Sequence, residues 1–551
     1  MASLRIFVRI LIALSTRTFF QPDEYYQALE PAHALVFGYG HLTWEWLTPQ
    51  PIRSVIYPAL NLPIYWLLKV TGLHTVWPSL VVIGPKLLHG SLAAATDVWV
   101  RELAVKTIGE KYASVTLFLS LTSLFHALSL SRSLSNSLET SLTTIALALF
   151  PWDPASHSFT FSDKNRFSLC LLFAALACTI RPTNAIIWVY MFSYLCWHLR
   201  GRLQALAVVV GGAVVTGTLS LCAISFLDYL YYSKLTITHL NFLLTNLSSV
   251  SLFYGSNPWH FYIFQAIPIL CTTSLPFVLF GAWKAVSRPG ERRLKVLLGC
   301  IVWTISVYSM AGHKEWRFIH PLLPLLHILA AKYLVDAYAR PSPGADSRTS
   351  PLPIRQAHMW LILSAIPAAL YIVVLHASPQ ISVMAYLRSV PSNELRSVGF
   401  LTPCHSTPWQ AYLHRPDLAE PGRLWALGCE PPLGVQNRTS YLDQTDIFFE
   451  SPREYLENNF PPTVDTTYPP SPFPASPPGI AIEVADGSTG PWKHEWPKNL
   501  VMFGALLQDQ DVKALVEALG YSEVWRAGWD WEGEGKRRAG VRVLQHLSSS
   551  K

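Results

Sequence analysis

Apolar runs long enough to cross a bilayer recur along this chain from the N-terminus and stop near residue 376. Hydrocarbon offers no partner for a backbone N–H or C=O, so such a run folds as a helix, and a crossing takes about 17–25 residues. Spans are predicted near 3–20, 76–99, 112–130, 204–227, 259–283, 294–311, 318–339 and 357–376. Shorter or broken ones lie near 138–151, 167–180 and 184–198, the last two separated by Arg181-Pro182-Thr183-Asn184. The expectation is an α-helical polytopic membrane protein with about eleven transmembrane helices. Only 14% of the 551 residues are charged, against roughly 25% in a soluble domain, which argues against a single soluble fold.

The first span contains Arg5 and Arg9 and lacks a small-residue cleavage site, so it reads as a retained anchor. Basic residues then mark alternate loops: Arg101, Lys106 and Lys111; Arg200 and Arg202; Lys284 through Lys295; Arg340, Arg348 and Arg355. By the positive-inside rule these face the cytosol. Residues 21–54, 131–137, 228–258, 312–317 and everything after 376 then lie on the far side. Segment 53–72 has to lie in the interface or re-enter, because a full crossing would invert every later loop. The net charge of +7 is thus spent on topology and calls for no nucleic acid.

Beyond residue 377 no run could cross a membrane, and Pro, Asp, Glu, Trp and Tyr become more frequent. The chain is therefore divided into a polytopic domain, 1–376, and a small mixed α/β domain, 377–551. Within the second, 443–449 reads as a short buried strand, 511–519 as a helix and 541–545 as a strand. In 461–478 eight of eighteen residues are proline, a composition that reads as a surface linker. Cys404 and Cys429, the two cysteines of this region, are a disulfide candidate in an oxidising compartment. Asn246 and Asn437 open glycosylation sequons on the same predicted side.

Three segments on that side could carry chemistry. In Gln21-Pro22-Asp23-Glu24-Tyr25-Tyr26-Gln27, Pro22 suits a first helical position and the carboxylates suit the first turn, which also explains them as a capped interfacial helix. If the helix continues, Asp23, Gln27 and Glu30 share one face, while Tyr26, Glu30 and His33 share a neighbouring one. Trp44 and Trp46 follow, placed for an interface belt or for stacking on sugars. His313-Lys314-Glu315-Trp316-Arg317 crowds three potential cations into one short turn where insertion disfavours them, which points to a partner such as a phosphate. Arg132, with Ser135, Asn136, Ser137 and Glu139, holds a charge and hydrogen-bonding groups at a span edge. No HExxH, no metal-ligand spacing of His and Cys, and no glycine-rich phosphate loop occurs.

Together these segments resemble the polytopic mannosyltransferases of the endoplasmic reticulum, the GT-C class, glycosyltransferase family 22. The resemblance rests on Gln21–Gln27, on Leu42-Thr43-Trp44-Glu45-Trp46 with Arg53-Ser54 and Tyr57-Pro58, on Ser135-Asn136-Ser137 with Glu139, and on His313–Phe318. Pro403-Cys404-His405-Ser406-Thr407-Pro408-Trp409 and Tyr441–Asp446 are similar to the branch that extends the glycosylphosphatidylinositol (GPI) precursor. Other branches carry His where Gln21 stands.

The resemblance implies transfer of mannose from dolichyl-phosphate mannose to the 2-hydroxyl of the second mannose of a GPI intermediate, with inversion, at the luminal face of the endoplasmic reticulum membrane. Asp23 and Glu24 are the implied catalytic pair, Asp23 as base and Glu24 to orient it, raise its pKa by like-charge repulsion or replace it. Gln27, Glu30, Trp44, Glu45, Arg132, Asn136, His313, Lys314, Glu315 and Arg317 are the implied substrate-binding residues. No cofactor is expected, and a departing lipid monophosphate does not demand a divalent metal. A sibling enzyme of dolichol-linked oligosaccharide or of the fourth GPI mannose is the alternative. A lipid transporter is a distant one, because the polar groups gather at one face rather than at mid-membrane.

Overall fold

Helices form where the apolar runs predict them, but proline and polar residues break several. In the computed structural model, which describes residues 2–153, 161–339, 352–433, 441–472 and 492–547, the run predicted at 112–130 is two helices, Glu110–Thr122 and Leu124–Ser129. Ser123 separates them and its side chain caps the second. The run at 259–283 is a π turn, a short helix, a 3₁₀ turn and the helix Leu275–Ser287, with Pro268 and Pro276 each opening a segment. The run at 318–339 begins as the 3₁₀ helix Trp316–Leu322 and continues as Leu323–Tyr338. Leu62–Val70, within the predicted interfacial segment, has nine residues, well short of the ~20 a crossing takes.

The described chain divides into two units. The helical unit comprises Met1–Ser15, Ser54–Tyr57 and Lys86–Val373. Among the described residues four helical stretches are long and apolar enough to cross a membrane by themselves: Leu203–Tyr232, Tyr262–Ser287, Trp316–Tyr338 and Gln356–Ser389. The other predicted spans are shorter or more polar helices. Within Trp316–Tyr338, 89% of the apolar window is buried, against 11% for Leu203–Tyr232. The first is a central helix. The second leaves Val214, Val215, Leu219 and Leu221 exposed, as a lipid-facing helix does. Gly281 lets Leu275–Ser287 approach the central helix, since a methyl there would collide with the Leu329 carbonyl.

Arg9 and Asp97 form a buried ion pair inside this unit. Arg9, fully buried, donates from Nε to Asp97 Oδ2 at 2.7 Å and from Nη2 to Asp97 Oδ1 at 3.0 Å and the Ser120 carbonyl at 2.8 Å. Ser120 Oγ donates to Asp97 Oδ1 at 2.7 Å.

The second unit comprises Thr16–Arg53, Pro58–Pro85 and Val374–Lys551. This differs from a boundary at 376. The first loop belongs with the C-terminal segment because its polar groups hydrogen-bond there over 380–381 positions, a pairing no local pattern encodes. The sheet is mixed: β1 (Val398–Leu401), β2 (Leu424–Ala426), β3 (Asn499–Phe503), β4 (Tyr521–Ala527) and β5 (Val541–His546), in the order β2-β1-β3-β5-β4. β1 runs parallel to β2 and β3, and β5 runs antiparallel to β3 and β4.

The helix expected at 511–519 is Gln510–Ala518, and the strand expected at 541–545 is β5. The strand expected at 443–449 is instead the helix Gln444–Glu450, because Asp443 accepts a bond from the Asp446 N–H at 2.7 Å and so caps a helix start. The described part of the proline-rich segment lies largely at the surface and is anchored at a few points. Tyr468 and Ser471 are buried, Tyr468 Oη pairs with His546 Nδ1 at 2.8 Å, and Trp496 Nε1 donates to the Pro461 carbonyl at 2.7 Å. Residues 473–478 lie outside the described residues.

Replacing Asp97 by Ala leaves a buried guanidinium without its counter-ion. The expected cost is about 3–5 kcal/mol, read as a lower thermal midpoint of detergent-purified protein, with most of it recovered in the Arg9→Met/Asp97→Leu double variant.

Candidate active site

In the second unit the first loop opens at Pro22, whose carbonyl accepts from the Tyr25 and Tyr26 N–H groups, both at 3.0 Å. Asp23 and Glu24 occupy that first turn, Asp23 half-buried and Glu24 buried. A π turn, Tyr25–Leu29, follows and leads into the helix Glu30–Phe37. Such single π turns are frequent at functional sites.

The stripe expected along this helix is divided among separate partners. Gln27 Nε2 donates to Glu45 Oε2 at 3.2 Å, and Glu45 also pairs with Arg53. Glu30 is fully buried. Its Oε1 accepts from His41 N–H at 2.9 Å and Gln410 N–H at 3.2 Å, and its Oε2 from Ala411 N–H at 2.7 Å. Burial pushes the Glu30 carboxyl up to about 7 despite these three amides. His33 Nδ1 meets the Tyr39 carbonyl at 3.0 Å, an acceptor only, so Nδ1 carries the proton. Its Nε2 therefore accepts from His414 Nδ1–H at 2.8 Å. Burial holds His33 near 3, in the neutral form.

Asp23, like Glu45, is half-buried, whereas Glu24 and Glu30 are buried. The Asp23 charge raises the proton affinity of His405, although burial prevails and holds that ring near 3. Tyr26 Oη donates to the Thr407 carbonyl at 3.0 Å, and Trp46 Nε1 to the Tyr26 carbonyl at 3.1 Å. Trp46 is thus an internal strut, whereas Trp44 lines a cavity. Cys404 and Cys429 form a disulfide, with Cα atoms 5.8 Å apart. Their sulfurs and the His405 ring lie within 4.8 Å of one another, but sulfurs bonded to each other are not thiolate ligands.

In the helical unit the cationic turn is organised by Glu315. Arg317 grips it with two bonds, Nε to Oε2 at 2.6 Å and Nη2 to Oε1 at 2.9 Å. His313 Nε2 meets Glu315 Oε1 at 3.2 Å and its Nδ1 meets the Gly255 carbonyl at 2.9 Å. Both partners are acceptors, so both ring nitrogens carry protons, and the hydrogen bond to Glu315 raises His313 above its ordinary value. Burial alone would raise Glu315, but the Arg317 charge and the bonds from His313 and Arg317 hold it well below the usual carboxylate range. Lys314 Nζ donates to the Asn257 carbonyl at 2.6 Å, and Asn257 Nδ2 returns a bond to the Lys314 carbonyl at 2.8 Å. Arg181 and Arg317 lie over the one Phe318 ring, 5.2 and 5.6 Å from its centroid.

Arg132 is buried and donates from Nε to the Leu128 carbonyl at 2.6 Å; Asn136 is buried near the start of Ser135–Leu149. Arg181, between the two short spans, forms an ion pair with Glu139 at 3.3 Å, and Asn184 Nδ2 donates to Glu139 Oε1 at 2.9 Å. Asn246 is exposed on the last turn of Thr238–Leu247, while Asn437 lies outside the described residues.

Asp228 escaped the reading of the sequence. Fully buried, it accepts from Ser54 Oγ at 2.8 Å and Val55 N–H at 3.0 Å on one oxygen and from Thr238 Oγ1 at 2.6 Å on the other. A lone carboxylate near the end of the longest apolar run was its signal.

The Alg9-like mannosyltransferase family model matches residues 2–414. The chain belongs to this family. Among its relatives, GPI mannosyltransferase 3 of Yarrowia lipolytica is 36% identical over 460 residues, covering 83% of this chain and 82% of the relative. The protein of the same name from Eremothecium gossypii is 31% identical over 98% of this chain and 97% of its own length. GPI alpha-1,2-mannosyltransferase 3 of Mus musculus is 34% identical, covering 83% and 78%. Among solved structures, ArnT from Cupriavidus metallidurans bound to undecaprenyl phosphate aligns with a TM-score of 0.57 over 99% of this chain and 97% of that one, at 12% identity. This likeness shows a GT-C fold, and the four long apolar helical stretches among the described residues support a multi-pass membrane protein.

Glu30 sets a measurable pH response. Its carboxyl, raised in the folded state from 4.5 to about 7, keeps its proton where the unfolded chain loses it. Its contribution to stability is full below about 4.5 and is lost as pH rises to about 7. Glu30→Gln is expected to remove this component, so the wild-type minus variant difference in thermal midpoint should fall between pH 4.5 and 7 and be flat above.

Proposed function

We propose that this chain transfers the third mannose, α1,2-linked, from dolichyl-phosphate mannose to the second mannose of the GPI precursor, at the luminal face of the endoplasmic reticulum membrane. The observation that carries the reading is the alignment with GPI mannosyltransferase 3 over 98% of this chain and 97% of the relative. A sibling's likeness would not be expected to extend through the C-terminal segment. The basic loops and the Cys404–Cys429 disulfide support the orientation.

The β-linked donor and α product require inversion at the anomeric carbon. The acceptor 2-hydroxyl gives its proton to Asp23, its oxygen bonds to C1, and the bond from C1 to the phosphate oxygen breaks, releasing dolichyl phosphate. Asp23 suits this role as a half-exposed carboxylate, with Glu24 buried beside it to orient it. Glu30 and Glu45 are engaged by amides and by Gln27 and Arg53, which makes them positioning residues in this reading. The departing phosphate needs positive charge, and this reading assigns it to His313 and Arg317, which share Glu315, and to Lys314, which is held by the Asn257 carbonyl. Arg132 and Asn136 complete the substrate-binding set. The reading calls for no organic cofactor.

Asp23→Asn is expected to lower mannose transfer in microsomes at least about 1,000-fold at unchanged protein level, beyond the ~10²–10⁴ range's lower end for a lost general base. Retained turnover removes Asp23 from the role. Depletion should accumulate the two-mannose GPI intermediate; accumulation of a dolichol-linked oligosaccharide or a three-mannose GPI lipid would assign a sibling activity instead.

A further inference from the structure

The second unit contains a cavity of about 350 Å³ that proton transfer at Asp23 leaves without a role. Its volume falls in the ~300–1,000 Å³ range of small-molecule sites. Thr43 and Trp44 of the first loop form one part of its wall, His405 and Trp409 another, and Glu420 and Glu430 a third. No Lys or Arg lines it among the described residues, which disfavours a phosphate or another anion. Indole faces with a few hydroxyl, imidazole and carboxylate groups suit a pyranose, apolar on its C–H faces and rimmed by hydroxyls. Burial holds His41 near 4 and His405 near 3, so both line the cavity as neutral rings.

Thr43 supplies an independent observation. It is 5% exposed and its Oγ1 is buried with no hydrogen-bond partner. It stands at the N-cap of Trp44–Leu47 yet makes no capping bond. Leaving a buried hydroxyl without a partner costs about 1–3 kcal/mol, and Thr43 is one of the residues that line the cavity.

We propose that this cavity binds one hexopyranose of the acceptor glycan, with Thr43 Oγ1 and Glu430 taking its hydroxyls and Trp44 and Trp409 packing against its faces. The identity of the glycan rests on the GPI reading above. The site makes acceptor selection a property of the unit that also carries Asp23.

The test uses the full chain, purified in detergent, with Thr43→Val and Glu430→Gln. Valine keeps the shape of threonine and removes only the orphan hydroxyl, so a merely structural role predicts equal or higher thermal stability and unchanged kinetics. The proposal predicts an acceptor KM raised about tenfold, the size of one lost buried hydrogen bond, with donor KM unchanged. α-Linked mannobiose should quench the wild-type tryptophan fluorescence saturably and bind each variant more weakly by a similar factor. Acceptor KM and mannobiose binding within twofold of wild type in both variants, or an equal rise in donor KM, overturns the proposal. Absent mannose transfer by the wild type would count against the GPI reading alone, since mannobiose binding still judges the cavity.

Discussion

The second unit depends on one buried carboxylate. Glu30 sits out of water and spends both oxygens on backbone amides of His41, Gln410 and Ala411. Those bonds fix the return of the first loop and the turn that carries Trp409 and His414. The cavity wall, the place of Asp23 beside His405 and the His33–His414 bond all follow from that closure. An amide side chain could not reproduce it, since its nitrogen would face an N–H.

Glu315 shows the opposite use of the same residue type. Glu30 meets neutral dipoles and its proton affinity rises with burial; Glu315 meets a guanidinium and an imidazolium and its affinity falls. One carboxylate is a fastener whose charge is marginal, the other a fixed negative centre that gathers positive charge into a short turn. The second arrangement keeps two cationic side chains, His313 and Arg317, on one carboxylate while offsetting part of their repulsion.

The first layer of this organisation was legible in the sequence. Periodicity and run length mark where helices lie, because hydrocarbon leaves the backbone few options. Pro22, with Asp23 and Glu24 behind it, announces a helix start, and the structure has one. Breaks at Ser123, Pro268 and Pro276 were less legible, since an apolar run hides a polar residue that turns the chain. Asp443 was misjudged because a capping bond to Asp446 outweighs the strand character of Ile447-Phe448-Phe449. Glu30 and Asp228 look in sequence like a surface acid and a stray one. Their partners lie in Gln410 and Ala411, and in Ser54 and Thr238, and no local pattern joins them.

The bond between His33 and His414 links residues 381 positions apart. During synthesis the first loop therefore emerges with its acidic and aromatic side chains long before the partners that will bury them exist. It has to wait, solvated or held by a chaperone, until the last third of the protein has been made. A nascent chain that stops before residue 410 therefore lacks the groups that satisfy Glu30 and His33, so closure of this unit follows synthesis of its C-terminal segment rather than keeping pace with the first loop.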